Sequence, residues 1–203
     1  MTKRRTSEEV DAIRASLVAA AKVLVQRDGA NALTMRAVAA EAGCAVGLPY
    51  KFFANRDELV LELVTAELTE LTSALTSWLQ TSGRRSVGAN LERYAAILLD
   101  SETPALLGAN AIDDEALEAR VRKMTQESGL THSFDEAIAA YLGAEQEQGR
   151  VRPDVDVRAF GFLIAGAIHN LVVAGELYPR PSRRELRRFL DECAAAIAPA
   201  RGR

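Results

Sequence analysis

The stretch from Thr34 to Phe53, TMRAVAAEAGCAVGLPYKFF, constrains the fold more tightly than any other part of the chain. The Thr34 hydroxyl can accept from the free N–H groups of a first helical turn, so a helix is predicted to start there. Val38, Ala39 and Ala42 recur at helical spacing and give it an inward face. Gly43 ends it, because glycine takes a left-handed turn without steric cost. A second helix is predicted from Ala45 or Val46 through Tyr50 to Phe53, with Pro49 tolerated only in or just beyond its opening turn. Two short helices joined by a three- or four-residue turn containing glycine make a helix-turn-helix.

The side chains in and after this stretch narrow the reading. Tyr50 and Lys51 suit phosphate contacts, one through a phenol hydrogen bond and one as a point charge. Arg36 can grip guanine O6 and N7 or a phosphate, or it can pair with an acid such as Glu41. Thr34 and Arg56 stand at helix N-termini, where free N–H groups favour an anion. Asn55-Arg56-Asp57-Glu58 has the order of a capping box and starts a further helix.

From Ile13 to Val64, the run of Gly29, Thr34, Arg36, Ala39, Ala42, Gly43, Gly47, Tyr50, Phe53, Arg56 and Leu59 resembles the DNA-binding domain of the tetracycline-repressor (TetR) family of bacterial regulators. The resemblance implies an all-α protein of about nine helices, with an N-terminal three-helix helix-turn-helix domain and a C-terminal helical domain for ligand binding and dimerisation. It implies DNA contacts from Thr34, Arg36, Ala45, Val46, Gly47, Leu48, Tyr50, Lys51 and Arg56, and a buried role for Phe53. One departure stands out. Members of the family often carry Ser or Thr at the start of the recognition helix and Lys or Thr within it, where this chain has Ala45, Val46, Leu48 and Pro49. Hydrogen-bonding groups that read base edges are missing there, and Val46 and Leu48 can contact thymine methyl groups instead.

Net charge is −3, which alone argues against a nucleic-acid partner, but the charge is unevenly placed. Residues 1–56 carry net +4, nine Lys or Arg against five Asp or Glu, so the remainder carries −7. A basic head on an acidic body is the footprint of a small DNA-reading domain joined to a part that does not touch DNA. Lys3, Arg4 and Arg5 form either a flexible arm for a phosphate backbone or minor groove, or a solvated terminus. No window approaches the roughly 18 consecutive apolar residues of a spanning helix, and the expectation is a cytoplasmic protein. Cys44 and Cys193 are too far apart in sequence for a metal or redox motif and read as small, buried residues.

Elsewhere helical spacing dominates. Ile13, Leu17, Ala20, Ala21 and Leu24 mark a first helix that buttresses the motif. Val60, Val64, Leu68, Leu71, Leu75 and Trp78 continue the helix begun at Arg56 for more than six turns, to a break at Thr81-Ser82-Gly83. Such a helix joins a head, 1–56, to a body, 57–203. In the body, Pro104 opens a short helix, and Asp113-Asp114-Glu115 complements the N-terminal dipole of another. The segment 156–177 is apolar on nearly every face: Phe160, Ile164, Ile168, Leu171 and Gly175 make one stripe, and Phe162, Gly166, His169 and Val173 another. A last helix, capped by Ser182, places Leu186, Phe189, Leu190, Cys193 and Ile197 on one side. The surplus apolar surface of these two helices predicts a two-fold contact between subunits through Ile164, Ile168, Leu171, Leu186, Phe189, Leu190 and Cys193, as the resemblance also implies.

Catalytic patterns are absent. Neither His132 nor His169 has a Glu three residues before it, there is no His-Glu-x-x-His, no paired cysteines and no phosphate loop. No metal, cofactor or enzymatic activity is expected. Trp78, Tyr94, Met124, Phe134, Tyr141, Phe162, His169 and Asn170 either line a cavity for a small molecule or belong to a solid core. The expectation is therefore a homodimeric DNA-binding regulator, a repressor released from a palindromic double-stranded operator by a small, mainly apolar effector. A ligand-independent regulator, or a scaffold that kept the helix-turn-helix, is the alternative.

Overall fold

The computed structural model describes residues 7–101, 115–127, 130–173 and 179–200. The arm Lys3-Arg4-Arg5, the helix expected at Pro104, the acidic pair Asp113-Asp114 and Gly175 lie outside them. Among the described residues the fold is all-α, as expected. It has eight α-helices: α1 (Ser7–Asp28), α2 (Met35–Glu41), α3 (Arg56–Leu79), α4 (Val87–Leu99), α5 (Glu115–Glu127), α6 (Leu130–Glu147), α7 (Val157–Val173) and α8 (Arg183–Ile197). Short 3-10 turns add Ala30–Ala32 and Pro49–Lys51.

The chain forms two compact units, the first containing residues up to Leu68 and α5 up to Met124, the second Thr69–Ser101 and the described residues after Met124. In the first unit α1 buries Leu17, Ala20, Ala21, Leu24 and Val25, close to the stripe read from their spacing. The opening half of α3 belongs to this unit and is clipped to α1 by two ion pairs, Arg14–Glu62 at 2.9 Å and Lys22–Glu67 at 2.6 Å. Asn55 caps α3 by accepting from the Glu58 amide at 2.9 Å, while the Glu58 carboxylate accepts from the Ala54 amide, one residue earlier than a capping box requires.

The Arg14 hydrogen bond holds the Glu62 carboxyl below the usual carboxylate range. A lowered folded value gives stability that is present at neutral pH and lost as the pH falls through that value. Both side chains are more than a third exposed, so solvent screening keeps the contribution below about 1 kcal/mol. Urea melts across pH 3–7 are expected to show Glu62→Gln reducing the acid-side loss by that small amount, and an unchanged acid limb would contradict the pairing.

In the second unit α6 lies along α7, and α8 lies along α4. Gly161 allows the first approach: a Cβ there would stand 2.7 Å from the Asp135 carbonyl oxygen and 3.0 Å from the Ala139 nitrogen. Gly88 allows the second, since a Cβ would come within 3.3 Å of Asp191 Cα. α8 opens with a complete capping box between Ser182 and Glu185. The far end of α3 is set in a buried aromatic cluster. Trp78 packs against Tyr94 and Tyr141 with ring centroids 5.0 and 4.7 Å away, and all three are fully buried. Trp78 Nε1 donates to the Asn90 carbonyl at 2.6 Å, and Asn90 Nδ2 donates to the Tyr141 hydroxyl at 2.9 Å. Beside them the buried Glu145 accepts from the Gly83 amide at 3.2 Å and faces Arg150 Nε at 3.2 Å.

Candidate nucleic-acid interface

Thr34 caps α2 as its sequence predicts, its hydroxyl accepting from the Ala37 amide at 3.1 Å. At the other end Gly43 takes φ 62°. The Cys44 amide reaches the Ala39 carbonyl and the Gly43 amide the Ala40 carbonyl, a Schellman motif that closes α2.

The second helix of the motif departs from expectation. Residues 45–53 form a succession of turns with one short 3-10 segment, Pro49–Lys51, and no α-helix. The reason is local. An α-helix starting at Ala45 would need the residue-49 N–H to bond the Ala45 carbonyl, and proline has none. The Leu48 amide takes that carbonyl instead, at 2.8 Å, and three-residue spacing continues with Lys51 to Leu48 and Phe52 to Pro49. Pro49 is buried, whereas Ala45, Val46, Gly47, Tyr50 and Lys51 are exposed and Leu48 is half-buried. Phe53 is in the core at 1 % exposure, beneath the Arg14 guanidinium 4.9 Å from its ring centre.

The cations sort themselves by partner. Arg14 donates to Glu62 and to the Phe52 carbonyl, Lys22 pairs with Glu67, and Arg27 bonds both Asp28 and Glu41. Arg56, expected to contact phosphate, turns inward: Nε donates to the Leu33 carbonyl at 2.8 Å and one terminal nitrogen to the Ala30 carbonyl at 3.2 Å, tying the start of α3 to the loop before α2. Because Arg27 takes Glu41, Arg36 does not pair with that acid. Arg36 and Lys51 are thus the two cations of residues 7–56 left exposed without a partner among the described residues. Thr34, Arg36, Ala45, Val46, Gly47, Tyr50 and Lys51 are solvent-exposed positions of one motif, and Arg56 stands apart from them by its bonding.

The residues expected to line a ligand cavity are not one wall. Tyr94 and Tyr141 both pack on Trp78, and the Tyr94 hydroxyl donates to the Phe134 carbonyl at 3.2 Å. Burial pushes both phenols well above their ordinary range, so both remain protonated donors. Phe162 is 66 % exposed, and His169 is exposed with its ring 6.1 Å from that of Phe134. Met124 belongs to the first unit, where its sulfur accepts from the Thr65 hydroxyl at 3.1 Å.

Asn170 lies instead in a mainly apolar cleft of about 620 Å³ between α7 and α8. All seven residues expected at the subunit contact line this cleft, but the structure divides them. Ile164, Ile168, Leu171 and Leu190 are 8 % exposed or less and form its floor, while Leu186 and Cys193 are half-buried and Phe189 is open. The outward apolar groups of α7 are Phe162, Leu163 and Val173, of which two lie on the second stripe read from the sequence. Leu163, 64 % exposed, was not legible as outward from spacing alone. Among the described residues no group of three or more His, Cys, Asp and Glu could hold a metal ion, and no helix is long and apolar enough to cross a membrane.

Residues 17–63 match the family model for bacterial regulatory proteins of the tetR family. A comparison with curated proteins gives no match. Among solved structures, a TetR-family transcriptional regulator from Cytophaga hutchinsonii superimposes with a TM-score of 0.68 at 16% identity, covering 98% of this chain and 100% of that one. A transcriptional regulator from Saccharomonospora viridis, solved with choline, gives 0.66 at 16% identity, covering 93% and 99%. FadR from Bacillus subtilis, solved with stearoyl-CoA, gives 0.56 at 14% identity, also covering 93% and 99%. At these identities the likeness is one of fold, and it extends over nearly the whole chain. The motif built by Thr34, Gly43 and Phe53 lies within the residues that match the tetR family model, and the helical architecture of nearly the whole chain is one it shares with solved TetR-family regulators.

Proposed function

We propose that this protein is a homodimeric repressor that binds a palindromic operator and leaves it when a small molecule binds the body. The observation that carries the DNA half is the coincidence of two exposed cations without a partner among the described residues, Arg36 and Lys51, with the open surface Ala45–Gly47 and Tyr50 on one motif. Cations free of intramolecular partners are the ones able to release counterions from DNA. As a regulator of this kind it is not an enzyme. The test is a mobility shift with DNA flanking its own gene, followed by selection from random duplexes; recovery of no preferred sequence would sink the proposal.

The dimer is proposed through the outward face of α7 and the cleft between α7 and α8. Phe162, Leu163, Val173 and Phe189 are exposed apolar groups, and pairing two such faces across a two-fold axis would bury them. Leu163→Asp is expected to split the dimer while the subunit stays folded, whereas Leu171→Asp buries an unpaired charge in the subunit and unfolds it. Sedimentation of the wild type as a monomer at micromolar concentration would remove this part of the reading.

For the effector, support comes from the unbroken run of α3 from the head to Trp78, an element that a body ligand can bias. The S. viridis and B. subtilis proteins bear chemically different ligands, choline and stearoyl-CoA, so the shared fold does not choose one. A mainly apolar molecule suits a second unit whose inward groups are Leu, Ile, Tyr and Trp. A hundredfold effect on operator affinity requires about 2.7 kcal/mol of coupling. The packed Trp78, Tyr94 and Tyr141 cluster favours a second reading, a ligand-independent regulator. Ligand-dependent shifts in melting temperature across a library of apolar and amphiphilic compounds separate the two.

A further inference from the structure

The reading surface has an unusual chemical composition. Between Cys44 and Tyr50 it carries Ala45, Val46, Gly47, Leu48 and Pro49, with no side-chain nitrogen or oxygen. Pro49 is buried and Leu48 half-buried, while Val46 is 48 % exposed. Gly47 keeps open space where a Cβ would be, so nothing of its own holds the neighbouring Val46 away from an approaching surface. In the major groove of B-DNA the only apolar group on any base edge is the C5-methyl of thymine. A side chain without donors or acceptors can therefore discriminate there only through that methyl.

We infer that Val46 is a specificity-determining residue that selects thymine in each half-site through its C5-methyl, leaving hydrogen-bonded readout by side chains to Arg36. This rests on the proposal that the motif reads DNA, and deepens it by naming what the second half of the motif reads. The free cations fit the division of labour. Lys51 follows the apolar stretch directly and is placed for a phosphate, and Arg36 is the one described head guanidinium without an intramolecular acceptor.

Replacing thymine by uracil deletes the methyl and leaves every hydrogen-bonding group in place. The duplex recovered by selection with the full-length protein is resynthesised with uracil at one symmetric pair of thymines at a time. At one such pair the wild type is expected to lose about fifteenfold in affinity, about fourfold per methyl in each half-site. Val46→Ala, a truncation at a half-exposed position, should bind the thymine duplex more weakly and show no further loss with uracil at that pair. 5-Methylcytosine there, which restores the methyl, should recover part of the affinity lost on placing cytosine. Tight binding with no uracil-sensitive pair would overturn the inference while leaving the DNA-reading proposal standing. Uracil sensitivity that persists in Val46→Ala would overturn it too, by assigning the methyl to another group. Failure to bind any duplex would overturn the DNA-reading proposal itself.

Discussion

Trp78→Ala is expected to lower stability by about 3–5 kcal/mol, the range for deleting a fully buried large aromatic. Three contributions add. The ring leaves its contacts with Tyr94 and Tyr141, a cavity opens in the second unit, and the Asn90 carbonyl loses its 2.6 Å donor. Asn90 already has a buried side-chain oxygen without a partner among the described residues, so the cluster has little reserve of hydrogen bonding. Denaturant unfolding measures the loss as a shifted midpoint at constant slope. A change below about 1 kcal/mol would show that the end of α3 is not held by this cluster. Tyr141→Ala is expected to unfold the unit in the same way, because Tyr141 is fully buried and its hydroxyl accepts from Asn90.

Arg36→Ala is expected to reduce operator affinity by about 2–6 kcal/mol in the dimer, since one guanine contact is worth about 1–3 kcal/mol and two heads carry it. The loss should vanish on operators whose corresponding base pair has been changed, the signature of base readout. Lys51→Ala should instead weaken all sequences alike and lower the salt slope by about one per head, the signature of a phosphate contact. Titration of each variant against the selected operator at three salt concentrations separates these behaviours. If Arg36→Ala binds within twofold of wild type, the reading surface is elsewhere. Arg56→Ala serves as the internal contrast: its guanidinium bonds Leu33 and Ala30, so its effect should appear in stability before it appears in DNA affinity.

The chain was legible in the sequence where one residue settles a local geometry. Thr34 and Ser182 each cap the helix that follows, and Asn55 does the same for α3. Gly43 ends α2 in a left-handed turn because only the absence of a Cβ makes φ 62° inexpensive. The α1 stripe and the length of α3 follow from 3.6-residue spacing alone. The loss of α-helix over residues 45–53 also has its signal in the sequence, in the N–H that Pro49 cannot supply.

What the tertiary structure decided concerns choices between equivalent partners. Nothing in the sequence says that Glu41 goes to Arg27 and not to Arg36, or that Arg56 spends its donors on two backbone carbonyls, because such pairings join residues 14 or more positions apart. Two apolar stripes run along α7, and spacing ranks them equally; the one that meets α6 and α4 became core, leaving Phe162 and Val173 outside. Likewise α8 has one apolar side, and only packing against α4 placed it across a cleft from α7. Trp78, Tyr94 and Tyr141 could by residue type have lined a cavity or filled a core. Three helices converging at the end of α3 brought their rings within 5.0 Å of one another in two of the three pairs, and that proximity made them core. Local steric rules act within a few residues and are written in the sequence, whereas a choice among several chemically suitable partners is made only when distant segments meet.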